Sequence, residues 1–469
     1  MKDNCRLLLP ILVTGMGRAG STLAMTLLGS DERCAFDHVY PMESRYLSRI
    51  VSFGAEWSGW TFERSASGQP VTVPRLGTHP VLLRQGAESA QLIDIPNSDG
   101  VVLTLWDAFE QSVRSGRPAA QFYAEKVAEW VPIFLAKLMP AYGLYLFRDP
   151  RDLFLSANAM NSRRGYLAFG RQPSDSDYDH ALTIAFRYLH YYENYKVLRS
   201  GSDMCSLVLY EELVRDPGSV LADLTEKTGL RIEPSGTEGL YRQHRTSESV
   251  QASIGRWQQE PISAEVLCVF EEALCRLMSK LGYEASQSLP SLNEADLEFT
   301  GEQSNHGRLL AIEHADQREL GPCGLVVTTN GDSFFLVFSI PELPAASVKE
   351  MWLCFSGLSS GDCEISWSDS KGDFSPARSL TQKFDVVPYC GSIRLKVADH
   401  DHWTGTVSRV RVKFSRSVDG PSLSPTFSIR WLRLIPQAKL SSTATVCSTS
   451  PGRRAQPAGR FLRWLTGRT

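Results

Sequence analysis

An apolar run, Ile11-Leu12-Val13, leads without a break into Thr14-Gly15-Met16-Gly17-Arg18-Ala19-Gly20-Ser21-Thr22, and Leu23 to Leu28 follow at helical spacing. A buried strand, a glycine-rich turn and a helix start in that order make an anion cradle. Glycine lets the backbone approach the anion, and the free N–H groups of the first helical turn point at it. The rest of the chain has to be folded around this unit.

The spacing is that of the nucleotide loop G-x-x-x-x-G-K-[ST], with one difference: Gly15 and Gly20 fit, but Ser21 stands where the lysine that reaches the terminal phosphates should be. Arg18 is the cation of the loop, displaced toward its middle. The loop is therefore suited to an anion other than the triphosphate of ATP. A second element supports it. Leu144-Tyr145-Leu146-Phe147 reads as a buried strand that runs into Arg148-Asp149-Pro150-Arg151-Asp152, and a helix then carries Ser156. In a parallel sheet, Arg148 would sit at the same carboxyl edge as the first loop, where such sheets bind ligands.

Together these two segments resemble the signature motifs of 3′-phosphoadenosine-5′-phosphosulfate (PAPS) dependent sulfotransferases, G-x-x-R-[SA]-G-[ST]-T and R-D-P-R-D…S. Two later stretches are similar to the same family. Leu209-Tyr210-Glu211-Glu212-Leu213-Val214 with Asp216-Pro217 matches its Y-E-[DE]-L-V-x-D-P element. Thr246-Ser247-Glu248-Ser249, followed by Ser253-Ile254-Gly255-Arg256-Trp257, matches the segment that closes over the nucleotide in many bacterial members.

The resemblance implies a bound PAPS, with 3′,5′-adenosine bisphosphate (PAP) as product and no metal. It assigns the backbone N–H groups of Ala19, Gly20, Ser21 and Thr22 to the 5′-phosphate. Arg18 falls to the bridging oxygen or sulfuryl group, and Arg148 and Ser156 to the 3′-phosphate. Tyr210 and Ser253 match positions near the nucleotide. Arg151 and Asp152 are expected to cap the helix or form ion pairs, and Trp257 to pack under the closing segment.

For the general base the family uses a Glu or His soon after the first helix. Glu43, in Glu43-Ser44-Arg45, resembles the Glu-Thr-Arg of protein-tyrosine sulfotransferases, although this chain is a few residues longer before that point. His38 is the other candidate, with an ordinary pKa better placed for taking a proton near neutrality. Glu43 ion-paired to Arg45 or Arg49 would instead shape the acceptor pocket.

At 469 residues the chain exceeds one ordinary core. The first ~285 residues alternate short strands with helical periodicity, which argues an α/β domain with a parallel sheet, its P-loop-like phosphate-binding loop flanked by helices. Strands are expected over 8–13, 143–147 and 206–209, and helices over 21–28, 119–139, 151–161, 178–200, 217–228 and 264–281.

After a Ser/Pro/Asn/Glu-rich stretch the helical signal gives way to eight β-rich runs between 324 and 434, several alternating apolar and polar residues. This pattern indicates an antiparallel β-sandwich of jelly-roll type. The division is then an α/β domain over 1–288, a linker over 289–306, a sandwich over 307–437 and a flexible basic tail over 438–469. Trp352, Trp367, Trp403 and Trp431 of the sandwich are candidates for a sugar platform or for core. The tail, from Arg453 to Trp464, is a candidate for peripheral membrane contact.

A net charge of −3 gives no global field for nucleic acid. The ten cysteines are scattered without a C-x-x-C pair, as reduced thiols are. With no signal peptide or span in the pattern, a cytoplasmic location is expected. The expected partner is a small-molecule or saccharide acceptor, its pocket lined by residues 57–91 and 162–179, with Arg163 and Arg164 facing an anionic group. Oligomeric state is not readable. Two other readings stand beside the sulfotransferase: a non-catalytic nucleotide- or sugar-binding protein that keeps the fold, and a P-loop kinase, against which the missing lysine argues.

Overall fold

The computed structural model describes residues 8–39, 42–57, 98–233, 246–284, 297–298, 309–313, 317–321, 324–328, 333–356, 360–370, 372–385, 391–416 and 426–437. The acceptor-pocket expectation over 57–91 (Trp57 apart), most of the linker and the whole basic tail lie outside these residues.

The α/β domain is built on five parallel strands in the order β2-β3-β1-β4-β5: β1 (Leu9–Gly15), β2 (Cys34–Ala35), β3 (Phe122–Lys126), β4 (Tyr142–Phe147) and β5 (Cys205–Leu209). All six residues of β4 are buried, as expected of a strand covered on both faces. The helices are α1 (Ser21–Leu28), α2 (Tyr46–Trp57), α3 (Ser98–Gly116), α4 (Val131–Leu135), α5 (Pro150–Arg164), α6 (Asp177–Gly201), α7 (Tyr210–Arg215), α8 (Pro217–Val220), α9 (Ala222–Thr228), α10 (Ala264–Ala273) and α11 (Cys275–Lys280).

Local chemistry sets their ends. Asp149 caps α5 by accepting from Arg151 N, Pro150 opens the helix, and Gly165 closes it in the left-handed conformation. A capping box between Ser176 and Asp179 starts α6.

The helix expected over 119–139 is not there. Phe122–Lys126 is instead the strand between β1 and β2, paired in register with Leu9 to Val13, and only Val131–Leu135 is helical. Tertiary pairing overrides the helix-forming Ala, Glu and Lys of this stretch, and Pro132 is at home only in the first turn of a helix. The helices expected over 217–228 and 264–281 each break once, at Leu221 and at Leu274.

The C-terminal part is an antiparallel sandwich. All eight expected runs are strands: β9 (Gly324–Thr328), β10 (Ser333–Pro344), β11 (Val348–Ser356), β12 (Ser360–Ser368), β13 (Ser379–Asp385), β14 (Gly391–Leu395), β15 (Thr406–Arg416) and β16 (Thr426–Pro436). They are joined by β6 (Leu297–Glu298), β7 (Leu309–Glu313) and β8 (Gln317–Gly321). One sheet runs β13-β12-β15-β10-β7 and the other β14-β11-β16-β9-β8, with β6 added on β16. Phe334, Phe355, Phe414 and Phe427 fill the space between them.

The four tryptophans are core residues, none more than 6% exposed. Trp352 and Trp431 do not face the sandwich interior; they belong to the α/β core together with Cys354 and Ile435. The β14-β11-β16 face therefore packs on α6 and α10. Polar contacts seal the junction. Arg430 Nη1 pairs with Glu193 Oε2 at 2.6 Å, Arg394 donates to Thr183 at 2.9 Å, and Lys349 donates to Asp179 at 2.9 Å. Arg433 donates to the Ala273 carbonyl at 3.1 Å. Among the described residues no helix is long and apolar enough to cross a membrane.

Candidate active site

β1, β4 and β5 end side by side, so the loops that leave them share one edge. After β1 the chain turns through Met16 to Gly20. Arg18 takes φ +77° and Gly20 φ +98°. Helix α1 then opens with no side-chain cap, which leaves the N–H groups of its first turn for a ligand. The Ala19 N–H, one of the expected donors, closes the turn onto the Met16 carbonyl at 3.0 Å. Gly20, Ser21 and Thr22 line the cavity at this turn. A Cβ on Gly20 would lie 2.4 Å from Tyr210 Cδ2, so the tyrosine ring seals the back of the turn.

One cavity is lined by Arg18, Gly20, Ser21, Thr22, Arg148, Ser156, Tyr210, Thr246, Ser247, Val250 and Ser253. It thus joins residues from four separated segments of the sequence. Arg148 is 3% exposed, donates to the carbonyls of Arg18 at 3.1 Å and Ser253 at 2.5 Å, and lies 4.6 Å over the Tyr210 ring. Its Nε is buried without a hydrogen-bond partner, a donor that an anion would satisfy. Ser253 Oγ bonds Tyr210 Oη at 2.7 Å. Arg18 Nε donates to Ser156 Oγ at 3.1 Å, so the two expected phosphate subsites touch each other.

The flanking residues brace this arrangement. Asp152 accepts from Gly255 N at 2.6 Å and Trp257 N at 2.9 Å, tying the segment that carries Ser253 to α5. Arg151 pairs with Asp149 and Glu271 and stacks 3.6 Å from the Trp257 ring. Asp149 is the cap; Arg151 and Asp152 hold other elements.

The two base candidates part company. The His38 ring packs 4.1 Å from Phe36 and contacts the Arg117 guanidinium. Burial first, then that guanidinium, hold its pKa below the usual histidine value. Phe36 and Arg117 belong to the β2 side of the sheet and not to the cavity. Glu43 is drawn to the loop: it lies 3.8 Å from Lys126 Nζ and 3.5 Å from Arg45, and Lys126 Nζ donates to Thr22 Oγ1 at 2.9 Å.

Lys126 escapes the sequence reading because the Ala, Glu and Lys content of its strand favours a helix. Burial pulls its ammonium down to about 8 against the opposing effect of Glu43. Pro132 and the charged Glu125-Lys126 pair at the end of an apolar stretch were the available signals. Glu125 is structural, accepting from Leu47 N at 2.8 Å, Ser48 N at 2.9 Å and Tyr123 Oη at 2.8 Å.

Among the described residues, the non-glycine residues with positive φ are Arg18, Met42, Arg45 and Phe169. Two flank Glu43, one is in the loop, and the fourth packs on it. Such conformations cost about 1–3 kcal/mol each and cluster where geometry is functional.

Residues 10–234 match the model of the family described as "Sulfotransferase family". Over these residues the α/β domain is similar to the sulfotransferase family. No curated protein matches the chain. Among solved structures, the sulfotransferase domain from the Curacin biosynthetic pathway is 14% identical, with 60% of this chain and 99% of that one covered at a TM-score of 0.34. The sulfotransferase domain from the Synechococcus PCC 7002 olefin synthase is 17% identical, covering 61% and 98%, at 0.32. A family 29 carbohydrate binding module from Piromyces equi is 12% identical and covers 30% of this chain and 88% of its own at 0.22. At these scores the three likenesses carry no functional assignment. Among the described residues no group of three or more His, Cys, Asp and Glu could hold a metal.

Proposed function

We propose that the chain transfers a sulfuryl group from PAPS to an acceptor hydroxyl, carbohydrate or glycolipid in class, with Glu43 as general base. The observation that carries the reading is the single cavity in which Arg18, the start of α1, Arg148, Ser156 and Ser253 meet, with the Glu43–Lys126–Thr22 chain leading into it.

The residues present fit an adenosine bisphosphate. The α1 N-terminus and Arg18 suit one phosphate. The buried Arg148 with its open Nε, together with Ser156 and Ser253, suits the other. The bound donor supplies an electrophilic sulfuryl group whose transfer breaks the S–O bond to phosphate and forms an S–O bond to the acceptor. Arg18 and Lys126 place positive charge where the leaving phosphate becomes more negative, a type of preorganised stabilisation worth about 10²–10³ in rate. Glu43 accepts the acceptor's proton, and Lys126 and Arg45 hold its carboxylate in place. A non-catalytic binding protein would need neither Glu43 nor Lys126 at the loop. A kinase would need the absent loop lysine.

Calorimetric titration with PAP, ATP and AMP tests the donor site. Selective PAP binding that falls at least about tenfold in Arg148→Ala is expected, since a charged hydrogen bond contributes about 1.5–3 kcal/mol. Preference for ATP would overturn the reading. A PAPS assay against hydroxyl acceptors, carbohydrates first, then tests the acceptor class.

A further inference from the structure

The turn after α5, residues 165–170, does not line the cavity, yet it is built against the loop that follows β1. Phe169 has φ +58°, a region that bulky residues rarely enter. Its neighbours hold it there. Asn161 accepts from Ala168 N at 3.0 Å and donates to the Ala168 carbonyl at 3.3 Å. The buried His180 ring lies 3.4 Å from the Phe169 carbonyl. The result is a ring pressed on Gly17: a Cβ at that glycine would lie 2.5 Å from Phe169 Cδ1. Gly17 is not among the glycines with positive φ, so its backbone alone would admit other residues. The glycine is required by the ring. Arg18, the next residue, is the one that turns to φ +77°.

We propose that Phe169 is a positioning residue for the donor's 5′-phosphate. It clamps the Gly17–Arg18 turn so that the N–H groups of Gly20 to Thr22 and the Arg18 guanidinium keep their bearing, while Tyr210 backs the loop at Gly20. The inference rests on the nucleotide reading above. It assigns the clamp to the 5′-phosphate alone and not to the Arg148 and Ser253 side of the cavity.

The test compares PAP with adenosine 3′-monophosphate, which lacks the 5′-phosphate, on wild type, Phe169→Ala, Phe169→Leu and Gly17→Ala, with thermal melting of each variant. Phe169→Ala should weaken PAP roughly tenfold, equivalent to about 1.4 kcal/mol, and leave the 3′-monophosphate unchanged. Phe169→Leu should recover most of the loss. Gly17→Ala should weaken PAP, and adding Phe169→Ala to it should restore part of the affinity, because the collision is relieved. Equal loss for both nucleotides, or loss for neither, overturns the proposal. A wild type that binds neither nucleotide overturns the nucleotide reading itself, and the clamp falls with it.

Discussion

Lys126 is the residue where burial and chemistry pull hardest against each other. Its ammonium sits near about 8, well under the usual lysine value, because it is buried, and Glu43 offsets only part of that. A lysine whose folded pKa is depressed binds fewer protons than the unfolded chain between that value and the ordinary 10.5. Its contribution to stability therefore rises with pH across this window and is constant below it. Ligand binding runs the other way, because an anion in the cavity favours the ammonium. PAP binding above pH ~8 should accompany proton uptake, read as a dependence of binding heat on buffer ionisation enthalpy. Lys126→Arg should abolish it. At Glu43, Glu43→Gln should leave PAP affinity within about twofold while lowering turnover by about 10²–10⁴, the usual range for losing a general base. An equal fall in both would make Glu43 a binding residue.

At the scale of elements, the loops were legible in the sequence and the strand between them was not. Gly15, Gly20, Arg18 and Arg148 announce themselves because their chemistry is local: a turn, a helix start, a cation at a strand's end. Ser253 and Tyr210, which line the same cavity, are marked by short motifs. Lys126, by contrast, lies on β3, a strand whose Ala, Glu and Lys content favours helix and whose identity comes only from pairing with β1. Phe169 carries no signal at all until its turn is folded. The segment around Ser253 is secured by Asp152, which is fully buried and accepts two backbone N–H groups. Asp152→Ala strands both donors, at about 1–3 kcal/mol each. The expected outcome is weaker PAP binding and faster proteolysis near 250–257 with the sandwich unaffected, measured by limited digestion.

For the whole molecule, the junction between the α/β domain and the sandwich is a core and not a tether. Glu193 is held by Lys196 at 2.7 Å and Arg430 at 2.6 Å, with Arg430 only 2% and Glu193 5% exposed at the side chain. Burial pushes its pKa up, and the two cations outweigh that and leave it lowered. The stability this contributes is present above the ordinary carboxylate pKa and is lost as pH falls through the folded value. Glu193→Ala removes the carboxylate that faces the buried Arg430 and should destabilise the junction, whereas replacing both partners by apolar residues should be much milder. Thermal melting of the single and double variants decides this.

Helix α6 gives that junction its consequence. Its Tyr188 hydroxyl donates to the Arg148 carbonyl at 2.9 Å and its His180 reaches Phe169, while Thr183, His190 and Glu193 bond the sandwich. One helix thus bears on the cavity side of the α/β domain and on the sandwich at once. The sandwich is braced on the α/β domain and not hung from it as a tethered arm: a shift of α6 would be felt at the Arg148 carbonyl and at the facing strands of the sandwich together.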